Sequence, residues 1–105
     1  MKPYVYLADL ARETPEVPSQ SILSRTFFED AQMKAILFAF APGQELSEHT
    51  ASVPAILHFV QGEADLTLGG ESQKAGPGTW VHMEPKLTHS IRARTPVQML
   101  LLMLK

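Results

Sequence analysis

The chain contains no cysteine, which excludes disulfides, thiolate nucleophiles and zinc–thiolate sites. It also lacks any concentration of positive charge. Nine Lys and Arg residues are scattered against eleven Asp and Glu, with Arg92 and Arg94 the only close basic pair. A nucleic-acid partner needs a clustered basic face to displace counterions from phosphates, and a polybasic membrane anchor needs one too, so neither partner is expected. Long hydrophobic runs are missing as well. The stretches from Ala35 to Ala41 and from Met99 to Leu104 are far too short to cross a bilayer. Asp9 interrupts the apolar start of the chain before it becomes a signal-peptide core. A soluble cytoplasmic protein is the expectation. Helical periodicity, internal repeats and low-complexity tracts are also absent, as are a Gly-x-Ser-x-Gly nucleophile elbow and a Gly-rich phosphate loop ending in Lys-Ser/Thr. Neither a serine hydrolase nor a nucleotide-type phosphate site is expected on those grounds.

What is present is a chain of 105 residues, 45% hydrophobic and 19% charged, sufficient for one small core. Residues 1–20 carry Pro3, Pro15 and Pro18 and read as an extended lead-in, with at most one helical turn around Leu7 to Ala11. Residues 21–105 read as a single β domain. Strands are expected around Ile22 to Phe28, from Met33 to Ala41, from Ala55 to Val60 and from Ala64 to Leu68. Further strands are expected from Glu71 to Ala75, Thr79 to Met83, Ser90 to Arg94 and Val97 to Leu104. Pro42-Gly43, Gly69-Gly70 and Gly76-Pro77-Gly78 mark turns between them. Glu45 and Glu48 fall in a segment expected to be a solvated loop. The last strand is apolar almost throughout, as a strand covered on both faces would be, and a short buried helix is its rival reading. Short strands with Gly and Pro turns at this spacing point to an all-β sandwich or barrel. Phe38, Phe40, Phe59 and Trp80 are expected in the core, with Met99 and Met103 filling gaps in it.

Two segments resemble the paired motifs of the cupin superfamily. In the first, Gly43 is followed after five residues by His49, and Ile56 to Gly62 reads as the family's apolar strand ending in a glycine turn. In the second, His89 stands eleven positions after Gly78, with Pro85 ahead of it. The resemblance covers roughly residues 33–104 and implies a cupin double-stranded β-helix, a jelly-roll barrel with a ligand pocket in its mouth. Many members hold one divalent ion there (iron, manganese, zinc or nickel) through three histidines and a glutamate. The present chain keeps two of those positions, His49 and His89. Ala51 stands where the second histidine would be, Ala55 where the glutamate would be, and Thr79 replaces the usual acid of the second motif.

A third donor would have to come from His58, His82, Gln44, Glu48 or Glu84, or from water. If Ala55 points inward, alternation sends His58 to the other face, while a bulge near Pro54 would reverse that. His82 shares a face with Trp80. Both histidines have the alternative of packing or interface roles. Three functions remain open from the sequence: a small-molecule binding protein using His49 and His89 as hydrogen-bonding groups, a metal-dependent oxygenase using a three-histidine site, and a dimeric, non-catalytic module. The resemblance implies a homodimer in which the N-terminal strand from Ser21 is exchanged between two subunits, and that assembly is compatible with each.

Overall fold

A computed structural model describes residues 2–105; Met1 of the lead-in lies outside the described residues. Nine strands follow one turn of 3-10 helix, Leu10–Glu13. They are β1 (Ile22–Glu29), β2 (Met33–Phe40), β3 (Glu45–His49), β4 (Ala55–Gln61), β5 (Ala64–Leu68), β6 (Glu71–Ala75), β7 (Trp80–Met83), β8 (His89–Ala93) and β9 (Val97–Leu104). They form a five-stranded sheet in the order β1-β2-β9-β4-β7 and a four-stranded sheet in the order β3-β8-β5-β6, with every pairing antiparallel. The two sheets face each other as a jelly-roll barrel, the fold expected from the sequence.

Alternation decides what lies between the sheets. On β4, Ala55, Leu57 and Phe59 are buried while Ile56, His58 and Val60 are partly exposed. On β5, Ala64 and Leu66 turn inward against Ile91 and Ala93 of β8. Phe40, Phe59, Leu57, Leu66, Ile91 and Met99 form the centre of this layer, each fully buried. Phe38 packs against them. The β5–β6 hairpin turns on Gly69 and Gly70, both at positive φ (57° and 92°), a conformation costly for residues with a Cβ.

The outer face of the five-stranded sheet is covered in part by the lead-in. Ala35, Leu37 and Ala39 of β2 point this way and are almost fully buried. The Gln98 side chain donates to the Ala11 carbonyl (2.7 Å) and to Thr14 Oγ1 (3.0 Å), while its own oxygen accepts from Gln61 Nε2. Val5, Leu7 and Leu10 share a groove with Leu100 and Leu102 of β9. Strand β9 is therefore covered on both faces, which is why its sequence is apolar without alternation. The helix reading for it is not realised.

The structure departs from the sequence expectations in three places. Glu45–His49 is strand rather than loop: it pairs with β8 alone at the sheet's edge, and its single apolar residue, Leu46, is too little to produce a legible alternation. Trp80 is 57% exposed rather than in the core, because β7 is the other sheet's edge and the lead-in does not reach over it. The helical turn forms at Leu10–Glu13 rather than Leu7 to Ala11, since the Asp9 carboxylate accepts from the Ala11 amide and starts the turn there.

Gly62 closes the β4–β5 corner at φ +90°, and a Cβ there would run into the carbonyl of Pro96 and lie 2.7 Å from Val97 Cα. Gly43 also has positive φ (+83°) but faces open space. Replacing Gly62 by Ala is expected to cost about 3 kcal/mol, combining left-handed strain with backbone overlap, whereas Gly43→Ala carries the strain alone, about 1 kcal/mol. Urea unfolding of the two variants beside the parent checks this, and equal losses would show that the Pro96 contact carries no energy.

Candidate functional site

His49 ends β3 and His89 begins β8, and the two are direct cross-strand partners. Their meeting depends on a one-residue register shift. Glu45 pairs with Arg92 and Leu46 with Ile91, but between Leu46 and His49 the ladder slips so that His49, rather than Glu48, opposes His89. Ile91 and His89 lie two apart on β8 and share its inward face, and both are buried. In an unbroken ladder Glu48 would share the face of Leu46, and His49 would point away. The bulge turns the imidazole of His49 to the inner side.

The rings are 4.1 Å apart between centroids and inclined at 56°. His49 Nδ1 lies 2.7 Å from the Ser47 carbonyl and His89 Nδ1 lies 2.9 Å from the Leu87 carbonyl. A carbonyl oxygen only accepts, so each Nδ1 carries the proton. In the neutral rings, the Nε2 atoms are left as free acceptors. The pair is asymmetric in exposure: His89 is 4% exposed, whereas His49 is open to solvent at the rim. Burial holds the His89 imidazole below its ordinary pKa, and the adjacent His49 acts in the same direction, partly offset by the Leu87 carbonyl.

Both rings line a cavity of about 350 Å³ in the barrel mouth, together with Thr50, Ala51, Ser52, Ala55, Met83, Leu101 and Met103. That volume lies at the lower end of the range for small-ligand sites. The Lys86 amide donates to the Ala51 carbonyl (2.7 Å), tying the loop after β3 to the loop before β8. Opposite the histidines, Ala55 of β4 pairs with Met83 of β7 on one side and with Met103 of β9 on the other. No acidic side chain is among the lining residues. Sequence reasoning identified His49 and His89, took Met103 for core filling and passed over Met83, because the alignment of both methionines with Ala55 is set by strand register and leaves no signal in the sequence.

His58 and His82 are not brought to this cavity. His58 pairs with Trp80 and with Leu100, and His82 pairs with Ile56, all on the outer face of the five-stranded sheet. No bulge near Pro54 turns His58 inward; the first residues of β4 pair regularly with both neighbours. Gln44, Glu48 and Glu84 also lie outside the lining. Among the described residues no group of three or more His, Cys, Asp or Glu side chains could hold a metal ion. The residues present do not fit the divalent ion the family resemblance implies. Two imidazoles remain, and Ala55 stands where the family places the carboxylate that would balance a double charge.

Comparison with known proteins bears on the fold. The chain is 25% identical to a conserved protein of unknown function from Streptococcus pyogenes, with a TM-score of 0.85 over 97% of this chain and 89% of that one. A cupin superfamily protein from Desulfitobacterium hafniense superposes with a TM-score of 0.81 at 23% identity, covering 86% of this chain and 83% of that one. A salicylate 1,2-dioxygenase from Pseudoaminobacter salicylatoxidans, solved with gentisate, matches at 12% identity and a TM-score of 0.75 over 89% of this chain but 28% of its own. No curated protein sequence matches. The family model for the cupin domain matches residues 36–104, the span from β2 through β9, and with the barrel and its two-histidine mouth in place the chain belongs to the cupin family.

Proposed function

We propose that this protein is a small-molecule binding cupin whose ligand enters the barrel mouth and is held by His49 and His89. The observation that carries this reading is the tethering of both Nδ1 atoms to backbone carbonyls, which leaves two preoriented Nε2 acceptors above an apolar floor. Such a site favours a molecule with a hydroxyl or N–H donor at one end and a compact apolar body at the other. Ala51, Ala55 and Leu101 receive the body, and the Thr50 and Ser52 hydroxyls lie at the rim for further polar groups.

The oxygenase reading has support from the salicylate dioxygenase likeness, which at 12% identity is a likeness of fold. It needs a third histidine at the ion, and His58 and His82 stand on the opposite side of the five-stranded sheet. We therefore place the protein with non-catalytic binding modules. We extend the proposal to a cytoplasmic homodimer in which a second copy covers Trp80, together with His58 and Ile56, on the outer sheet face. Trp80 at 57% exposure and the apolar groove of Val5, Leu7, Leu100 and Leu102 support that assembly. Among the described residues no helix is long and apolar enough to cross a membrane.

Phenol and catechol serve as probes of the site. A probe at a hundred times its Kd is expected to raise Tm by on the order of 10 °C, corresponding to about 2.7 kcal/mol. His89→Gln should abolish the shift. Because burial depresses the His89 pKa, the unfolded chain takes up its proton first as pH falls. Folded stability should then decline as pH falls from the ordinary histidine range near 6.5 toward the lower folded pKa, with probe binding weakening only once the folded His89 is itself protonated. Calorimetry between pH 8 and 5 measures both. A probe shift retained in His89→Gln would remove histidine recognition from the account.

For the assembly, light scattering at micromolar concentration is expected to give twice the chain mass, and Trp80→Lys the mass of one chain. A monomeric parent protein excludes the dimer.

A further inference from the structure

The row of residues facing the histidine pair has a chemistry of its own. Met83, Ala55 and Met103 are aligned across β7, β4 and β9, each methionine a direct cross-strand partner of Ala55. Neighbouring Cβ atoms in such pairs stand about 5 Å apart, so the small Ala55 side chain leaves a gap flanked by two flexible thioethers. Both methionines line the same cavity as His49 and His89. Met83 is 2% exposed, so its side chain is held within the barrel. The four potential donors are two imidazole Nε2 atoms and two sulfurs, and none carries a charge.

Neutral, soft donors select their ion. Thioethers favour copper(I), and imidazole accepts copper readily, whereas hard divalent cations require oxygen ligands. Charge points the same way. A doubly charged ion in a partly buried cavity without a carboxylate keeps its whole charge uncompensated, and the desolvation penalty grows with the square of that charge. A singly charged ion meets far less of it.

We propose that the barrel mouth is a soft-cation site in which His49 Nε2, His89 Nε2 and the thioethers of Met83 and Met103 hold one copper(I) ion. The proposal rests on the reading of this cavity as a ligand site, and it replaces the family's divalent ion with one matched to the donors this chain has. Copper(I) binding needs no change of oxidation state if the ion is supplied reduced. The two histidines come from one sheet and the two methionines from the other, so a bound ion would bridge the barrel mouth.

Silver(I), a redox-silent analogue, makes the test direct. The chain has five methionines, and Met33 and Met99 serve as controls because neither lines the cavity. With methyl-labelled methionine, one equivalent of silver(I) nitrate in chloride-free buffer is expected to shift the Met83 and Met103 methyl signals and leave those of Met33 and Met99 in place. Competition against a chromophoric copper(I) chelator should show the Met83→Leu/Met103→Leu variant binding copper(I) at least about tenfold more weakly than the parent, a conservative figure since even outer-shell partners of metal ligands cost that much. The Leu replacements keep the volume of the cavity wall and so keep the fold testable. Uniform or absent methionine shifts, copper(I) affinity unchanged in the double variant, or zinc(II) displacing silver(I) at equal concentration would each overturn the site. If silver fails while phenol still raises Tm in a His89-dependent way, the soft-cation site falls and the small-molecule reading stands. If both fail, the mouth is not a ligand site.

Discussion

The structure depends on two sheets closing over one shared apolar layer, because neither sheet has a buried face without the other. Phe40, Leu57, Phe59 and Met99 from the five-stranded sheet meet Leu66 and Ile91 from the four-stranded one, and all are excluded from water. A chain of this length has little surplus core, so removing one such side chain would cost several kcal/mol of a total stability not much larger. The mouth is the region where that layer gives way to an open cavity. Its floor is the last inward row of the five-stranded sheet, so the core and the candidate site belong to one continuous surface.

Within that frame the site is created by a local irregularity. A ladder without the slip between Leu46 and His49 would place Glu48 opposite His89, setting a carboxylate beside an imidazole and turning His49 outward. The bulge exchanges them and gives a pair of imidazole rings. The backbone carbonyls of Ser47 and Leu87 then assign the protons to the Nδ1 atoms and leave the Nε2 atoms as acceptors. The alanines at positions 51 and 55 complete the change of character: the lining of the mouth carries no acidic side chain where the family pattern places a glutamate.

The outer face has a separate logic. Its β1–β2–β9 side is covered in part by the lead-in, which Gln98 anchors through Ala11 and Thr14. Its β4–β7 side is left with Trp80, His58 and His82. These residues share a surface because cross-strand partners share a face, and it is the face opposite the mouth. Two of the four histidines thus belong to each side of one sheet-bounded layer, and the separation between them is set by strand alternation alone.

Much of this was legible in the residues. Alternation in β4 and β5, the continuous apolar run of β9 and the glycine turns specify an all-β barrel, since these patterns are local consequences of a period of two, while His49 and His89 stand out only because their spacing from Gly43 and Gly78 resembles the cupin motifs. The alternation that places Ala55 inward also places His58 outward, provided no bulge intervenes. Tertiary structure decided the rest. Strand β3 exists because β8 offers it hydrogen bonds, the slip that aims His49 is a property of that pair rather than of either segment, and the alignment of Met83 and Met103 beside Ala55 joins strands that are distant in the chain. Each is a matter of register between partners, and register is specified only when the partners meet.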